Sequence, residues 1–222
     1  EEIICELGYI SRNLEEGYPG NLSCKVTYTL NNNNEFIITN SAISDSDTIV
    51  NITNHNYWNF HGHGDYYKNI SDHTVKIFSS SVCENNEQSI PTGRILPIAN
   101  TQFDFIDEKV ITQDFLDKGG VDNSYDIGSN NVLKEVALAY SNITQMGVKY
   151  LSNLPGNQFY TGNMMNDRYK GKYNKKYGIH YGFCFEPQFH PNSINEEKFQ
   201  SPILKANEKY SSTIIMQLGN DY

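Results

Sequence analysis

The stretch Lys25-Val26-Thr27-Tyr28-Thr29-Leu30, followed by Asn31-Asn32-Asn33-Asn34 and then Glu35-Phe36-Ile37-Ile38-Thr39, decides the fold class. The first six residues alternate polar and apolar side chains with a period of two, the pattern of a strand with one buried face. The asparagine run supplies a polar loop, and the third block is rich in aromatic and β-branched residues. Together they predict a β-hairpin with a four-residue loop.

The same reading extends outward along the chain. Residues 48–53 form a β-branched strand running into Asn54-His55-Asn56-Tyr57-Trp58-Asn59. Further strands are expected over residues 75–78, 136–140, 146–151, 158–161, 182–186 and 212–218. Turn residues separate them, as at Pro91-Thr92-Gly93, Lys118-Gly119-Gly120 and Leu154-Pro155-Gly156. One helical turn is expected near residues 112–116. No βαβ alternation occurs, which argues against a doubly wound parallel sheet. Many short strands with Gly and Pro turns point to an all-β sandwich or barrel. Neither repeat nor linker is visible, and the 222 residues are read as one domain spanning 1–222.

Composition narrows the function. The formal charge of -9 speaks against nucleic acid, which requires clustered Lys and Arg. The one basic cluster, residues 170–176, alternates with Gly, Tyr and Asn and reads as a surface loop. No apolar run approaches the ~20 residues of a membrane span. The four cysteines, Cys5, Cys24, Cys83 and Cys184, lack CxxC spacing, and an intracellular, cytoplasmic protein is expected.

Two segments carry candidate chemistry. Residues 54–58 place His55 among Asn and aromatic side chains, the mixture that sugar hydroxyls and sugar C–H faces require. A hydrogen-bonded strand-end histidine is the plainer alternative. Gly182-Phe183-Cys184-Phe185-Glu186-Pro187-Gln188 sets a lone carboxylate in an apolar strand. Buried, such a group is a tuned acid or base; in plain alternation it faces away from Phe183 and Phe185, and both readings stand. Cys184 itself reads as a small core residue. His61-Gly62-His63-Gly64-Asp65 is a weak metal candidate, better explained by Gly-rich turns. No metal and no cofactor are expected.

Several segments in order resemble the aldose 1-epimerase family. They are Glu15-Glu16-Gly17-Tyr18-Pro19-Gly20-Asn21-Leu22, Thr53-Asn54-His55-Asn56-Tyr57-Trp58-Asn59, Ile90-Pro91-Thr92-Gly93 and Phe103-Asp104-Phe105. Gln158-Phe159-Tyr160-Thr161-Gly162-Asn163, residues 182–188 with His180, and Ser201-Pro202-Ile203-Leu204 with Tyr210 complete the set. The resemblance implies a large antiparallel β-sandwich of the supersandwich type and an isomerase interconverting sugar anomers. It implies that His55 is the general acid on the ring oxygen and Glu186 the general base on the C1 hydroxyl. Tyr57, Asp122 and Gln158 match sugar-binding positions, and the partner is a monosaccharide. Monomer and homodimer stay open. The alternatives are a non-catalytic carbohydrate-binding homologue and an epimerase of hexose phosphates.

Departures from the pattern are specific. The Asp-His-Asn-Phe segment appears as Asp122-Asn123-Ser124-Tyr125, and the Thr after the base is Pro187. The N-terminal Asn-Arg and His-Gly-Gly motifs have no counterpart. They supply an Arg and a second His to the pocket, so the chain is read as the C-terminal two-thirds of the family, N-terminally incomplete. Without those strands, at least one sheet edge is expected to be exposed or covered by another chain.

Overall fold

The computed structural model describes residues 1–64, 67–128, 131–168 and 170–220. In chain order the strands are β1 (Glu2–Ser11), β2 (Leu22–Asn31), β3 (Glu35–Ser44), β4 (Thr48–Ile49), β5 (His73–Ile77), β6 (Ser81–Asn85), β7 (Pro91–Pro97) and β8 (Lys109–Val110). There follow helix α1 (Gln113–Asp117), β9 (Asp122–Asp126), β10 (Lys134–Ser141), β11 (Gly147–Ser152), β12 (Gly156–Tyr160), β13 (Cys184–Gln188), β14 (Ile203–Leu204) and β15 (Lys209–Gly219).

The hairpin forms as its alternation requires. β2 and β3 pair antiparallel from Leu22↔Ser44 to Leu30↔Phe36. The Asn31 side chain closes the turn, its Oδ1 accepting from the backbone N–H of Asn33 at 2.9 Å and Glu35 at 3.2 Å. This self-bonding turn is the asparagine chemistry expected of such a run. Thr112 caps the expected helical turn, its hydroxyl accepting from Phe115 N.

Two antiparallel sheets face each other. The larger runs β1-β2-β3-β15-β11-β10-β5-β8, and the smaller runs β13-β12-β9-β6-β7. Between them lie Ile38, Val75, Ile77, Val136, Val148, Tyr150 and Met216 from the large sheet. Val82, Tyr125, Phe159 and Phe185 meet them from the small one. The all-β sandwich expectation therefore holds.

Several details differ from the sequence reading: β6, β7 and β9 were not expected, and β7 begins inside the turn expected at Pro91-Thr92-Gly93. The strand expected over residues 48–53 is only two residues long and pairs with β14. Beyond it, side chains replace the ladder: Asn51 Nδ2 donates to Phe189 O at 3.1 Å, and Thr53 Oγ1 donates to Pro187 O at 2.7 Å. The strand expected over 182–186 begins at Cys184, because Phe183 pairs instead with Trp58 in an isolated bridge. β1 lacked an alternating signal, and its structure shows why. It pairs only with β2, and apolar residues on both faces, Ile3 and Leu7 on one and Ile4 and Ile10 on the other, are exposed. β1 is thus an edge strand of the large sheet.

Candidate active site

Period two along three neighbouring strands builds the site. In β13, Phe185 points into the core while Cys184, Glu186 and Gln188 share the other face. The register sets Tyr160 and Gln158 of β12 opposite Cys184 and Glu186. On the far side of β12, Asp122 and Ser124 of β9 stand opposite Tyr160 and Gln158. The outer face of the small sheet is therefore a polar grid, backed by the aromatic core. Alternation left two readings open for Glu186. It does face away from Phe185, and that side is a covered cleft rather than open solvent.

The segment 51–58 supplies the cover. Strapped along β13 by Asn51, Thr53 and the Trp58–Phe183 bridge, it carries His55 over Cys184 and Glu186. His55 Nε2 lies 3.1 Å from Glu186 Oε1. His55 Nδ1 lies 3.4 Å from Cys184 Sγ. The imidazole stacks on Tyr57 at 4.9 Å and meets the edge of Tyr160 at 6.3 Å. Gln158 Nε2 donates to Asp122 Oδ1 at 2.7 Å, and Gln158 Oε1 is buried without a protein partner.

All five residues expected at the site, His55, Tyr57, Asp122, Gln158 and Glu186, line one cleft of ≈ 430 Å³. Tyr160, Met164, Met165, Gln188 and Pro191 complete its wall. Tyr160 was missed by the sequence reading. It lies two residues beyond Gln158 on the same strand, so the strand period could have found it.

Electrostatics set the pair apart from a surface ion pair. Burial holds the Glu186 carboxyl above the usual carboxylate range; His55 pulls it partly back, and Asp122 pushes it further up. The Tyr57 hydroxyl is pushed up to about 12, first by burial, and stays a protonated donor at neutral pH. Burial, then the charges of Glu186 and Asp122, drive the Cys184 thiol far above its ordinary range.

One group of potential cation ligands coincides with the pair. Ligand atoms of His55, Cys184 and Glu186 all lie within 4.8 Å of one another. Ligation would need the thiolate, which burial opposes. The other metal candidate is dispersed. His61 is buried, its Nε2 meeting Ser71 O and its Nδ1 meeting Ser141 Oγ, whereas His63 meets Tyr177 Oη at 2.6 Å. Asp65 lies outside the described residues. Among the described residues no helix is long and apolar enough to cross a membrane. All four cysteines are free.

Residues 3–217 match the family profile described as aldose 1-epimerase. This chain belongs to the aldose 1-epimerase family. The galactose mutarotase of Sus scrofa is 35% identical over 211 residues, covering 94% of this chain and 60% of the relative. The chain thus spans about three-fifths of the length of that relative. Among solved structures, a galactose 1-epimerase from Lactobacillus acidophilus NCFM superposes with a TM-score of 0.81 at 26% identity. It covers 99% of this chain and 63% of that one. An aldose epimerase homologue from C. elegans gives a TM-score of 0.86 at 24% identity, covering 97% and 65%, a likeness of fold.

Proposed function

We propose that the chain carries a mutarotase activity, interconverting the α and β anomers of free hexoses such as glucose and galactose. The observation that carries this reading is the His55–Glu186 pair, held at 3.1 Å on the wall of a cleft that also presents Asp122 and Gln158. An anomer switch needs one proton removed from the C1 hydroxyl and one delivered to the ring oxygen. Glu186 has the raised basicity for the first step, and His55, as the imidazolium, gives its Nε2 proton in the second. Sugar binding in the cleft has to part the 3.1 Å His55–Glu186 contact, after which each group faces one oxygen of the hemiacetal. The ring opens, C1 rotates, and closure returns both protons with the roles reversed. No redox step or group transfer enters.

The remaining contacts serve binding. Gln158 Oε1 and the Asp122 carboxylate accept from sugar hydroxyls, and Tyr57 and Tyr160 offer ring faces to the C–H surface. The lining favours free sugars over sugar phosphates. None of the described lining residues is Lys or Arg, and Asp122 and Glu186 would repel a phosphate dianion.

Polarimetry on freshly dissolved α-D-glucose or α-D-galactose tests the reading. The protein should accelerate the approach to equilibrium, and Glu186→Gln should lower that acceleration by at least ~10²-fold. A rate equal to the buffer's own would overturn it.

A further inference from the structure

Cys184 is the group at the cleft that proton transfer leaves unused. Its side chain is fully buried, and its sulfur touches the imidazole nitrogen opposite the one that meets Glu186. A neutral imidazole has one donor nitrogen and one acceptor nitrogen. When Glu186 is a carboxylate, Nε2 has to carry the proton; otherwise two lone pairs face each other at 3.1 Å. Nδ1 is then the acceptor, and the hydrogen that reaches it is the one on sulfur. The buried thiol keeps that hydrogen at any working pH.

We infer that Cys184 is a positioning residue for His55, whose thiol holds the ring face and keeps the proton on Nε2, the nitrogen turned to the cleft. The remaining groups around the ring do not duplicate this role. Tyr57 and Tyr160 meet the imidazole by ring face and ring edge. Glu186 takes Nε2, and Asp122 acts through its charge on Glu186 and Cys184. When His55 takes up a second proton, the new N–H lies on Nδ1 and donates to a sulfur lone pair. The thiol hydrogen rotates away, and when Nε2 gives its proton to the ring oxygen the remaining hydrogen stays on Nδ1 against sulfur, so the ring need not flip before Nε2 takes a proton back. The small, strand-borne sulfur therefore accepts and donates in turn at one place. A core alanine would fill part of the space and do neither.

The consequence for catalysis rests on the acid–base reading above; the orientation of the ring does not, so the two can be tested apart. Ring-nitrogen NMR of ¹⁵N-labelled protein reads the tautomer directly, with His55 assigned by the signals lost in His55→Gln. In the native protein neutral His55 should be the Nε2–H form. Cys184→Ala should move it to a mixture with Nδ1–H. Cys184→Ser, which keeps a donor of similar size, should retain the native form and supplies the comparison if the alanine variant does not fold. Anomer-exchange kinetics should show kcat falling about tenfold in Cys184→Ala, KM changing little, and the serine variant recovering most of the loss, since a ring no longer held at Nδ1 loses the orientation that presents Nε2 to the cleft. A native Nδ1–H tautomer, or an unchanged tautomer in a folded Cys184→Ala, overturns the inference. A shifted tautomer in a protein that never exceeds the buffer's mutarotation rate upholds it and sinks the mutarotase reading instead.

Discussion

His55 and His190 lie against the same face of the same sheet. Each has a carboxylate at Nε2 and a cysteine sulfur at Nδ1, yet their surroundings are opposite. His55 is 51% exposed at its side chain and faces a buried Glu186 at 3.1 Å. His190 is 3% exposed and lies 3.6 Å from the partly exposed Asp126. Its Nδ1 is met by Cys83 Sγ at 3.3 Å and by Ser124 Oγ at 2.8 Å. Gly156 makes room for it: a Cβ there would fall 2.7 Å from His190 Nδ1. The carboxylates report the difference. The bond to His190 holds Asp126 below the usual range, whereas burial holds Glu186 above it. A satisfied pair is a structural pin. The pair whose carboxylate stays basic beside the cleft is the one proposed for proton transfer.

The comparison breaks most visibly in turnover. Glu186→Gln should lose at least ~10²-fold in mutarotation, and Asp126→Asn should stay within about threefold of native, by polarimetry on the same sugar. Equal losses would mean that the two pairs are not distinct.

Stability should run the other way. His190→Ala removes a buried, multiply bonded side chain and should cost roughly 2–4 kcal/mol in urea unfolding. His55→Ala, at an exposed position, should cost under ~1 kcal/mol.

A smaller effect has opposite signs at the two carboxylates. Asp126 has a lowered value in the fold, so it contributes stability above the ordinary Asp range, and this is lost as pH falls through that range and below. Glu186 has a raised value, so its contribution is present below the ordinary Glu range and is lost as pH rises through its folded value. At neutral pH, Asp126→Asn should therefore lower the melting temperature, by about 1 kcal/mol of stability. Glu186→Gln should raise it, by about 0.5–2 kcal/mol, as expected when a functional site is neutralised. Asp122→Asn sharpens the contrast further. Removing a charge that pushes Glu186 upward should shift the acidic limb of kcat/KM to lower pH.

Much of the cleft was legible because strands carry their own ruler. The alternation of Phe183, Cys184, Phe185 and Glu186 separates two faces, and the family segments named His55, Tyr57, Asp122 and Gln158. Which face was the cleft could not be read. It is made by residues 51–58 lying across β13 through the Asn51 and Thr53 side chains, contacts between positions more than 130 residues apart. The same limit hid the His190 pin, whose partners come from β6 and β9 and whose space comes from Gly156. It also made Cys184 look like core packing. Its strand environment was correctly apolar, but the imidazole that meets its sulfur comes from a segment 129 residues away in sequence. β1 was invisible for a different reason: neither of its faces is buried, so no period was imposed on it.

The central claim is that one imidazole and one carboxylate work as a unit on the two oxygens of a hemiacetal. NMR exchange between the α and β anomeric protons of galactose, run on the native protein, His55→Gln, Glu186→Gln and the double variant, tests it most directly. The account predicts that the double variant is no slower than the slower single variant, because losing either group already breaks the unit. Losses that multiply in the double variant, or near-native exchange in Glu186→Gln, would contradict it.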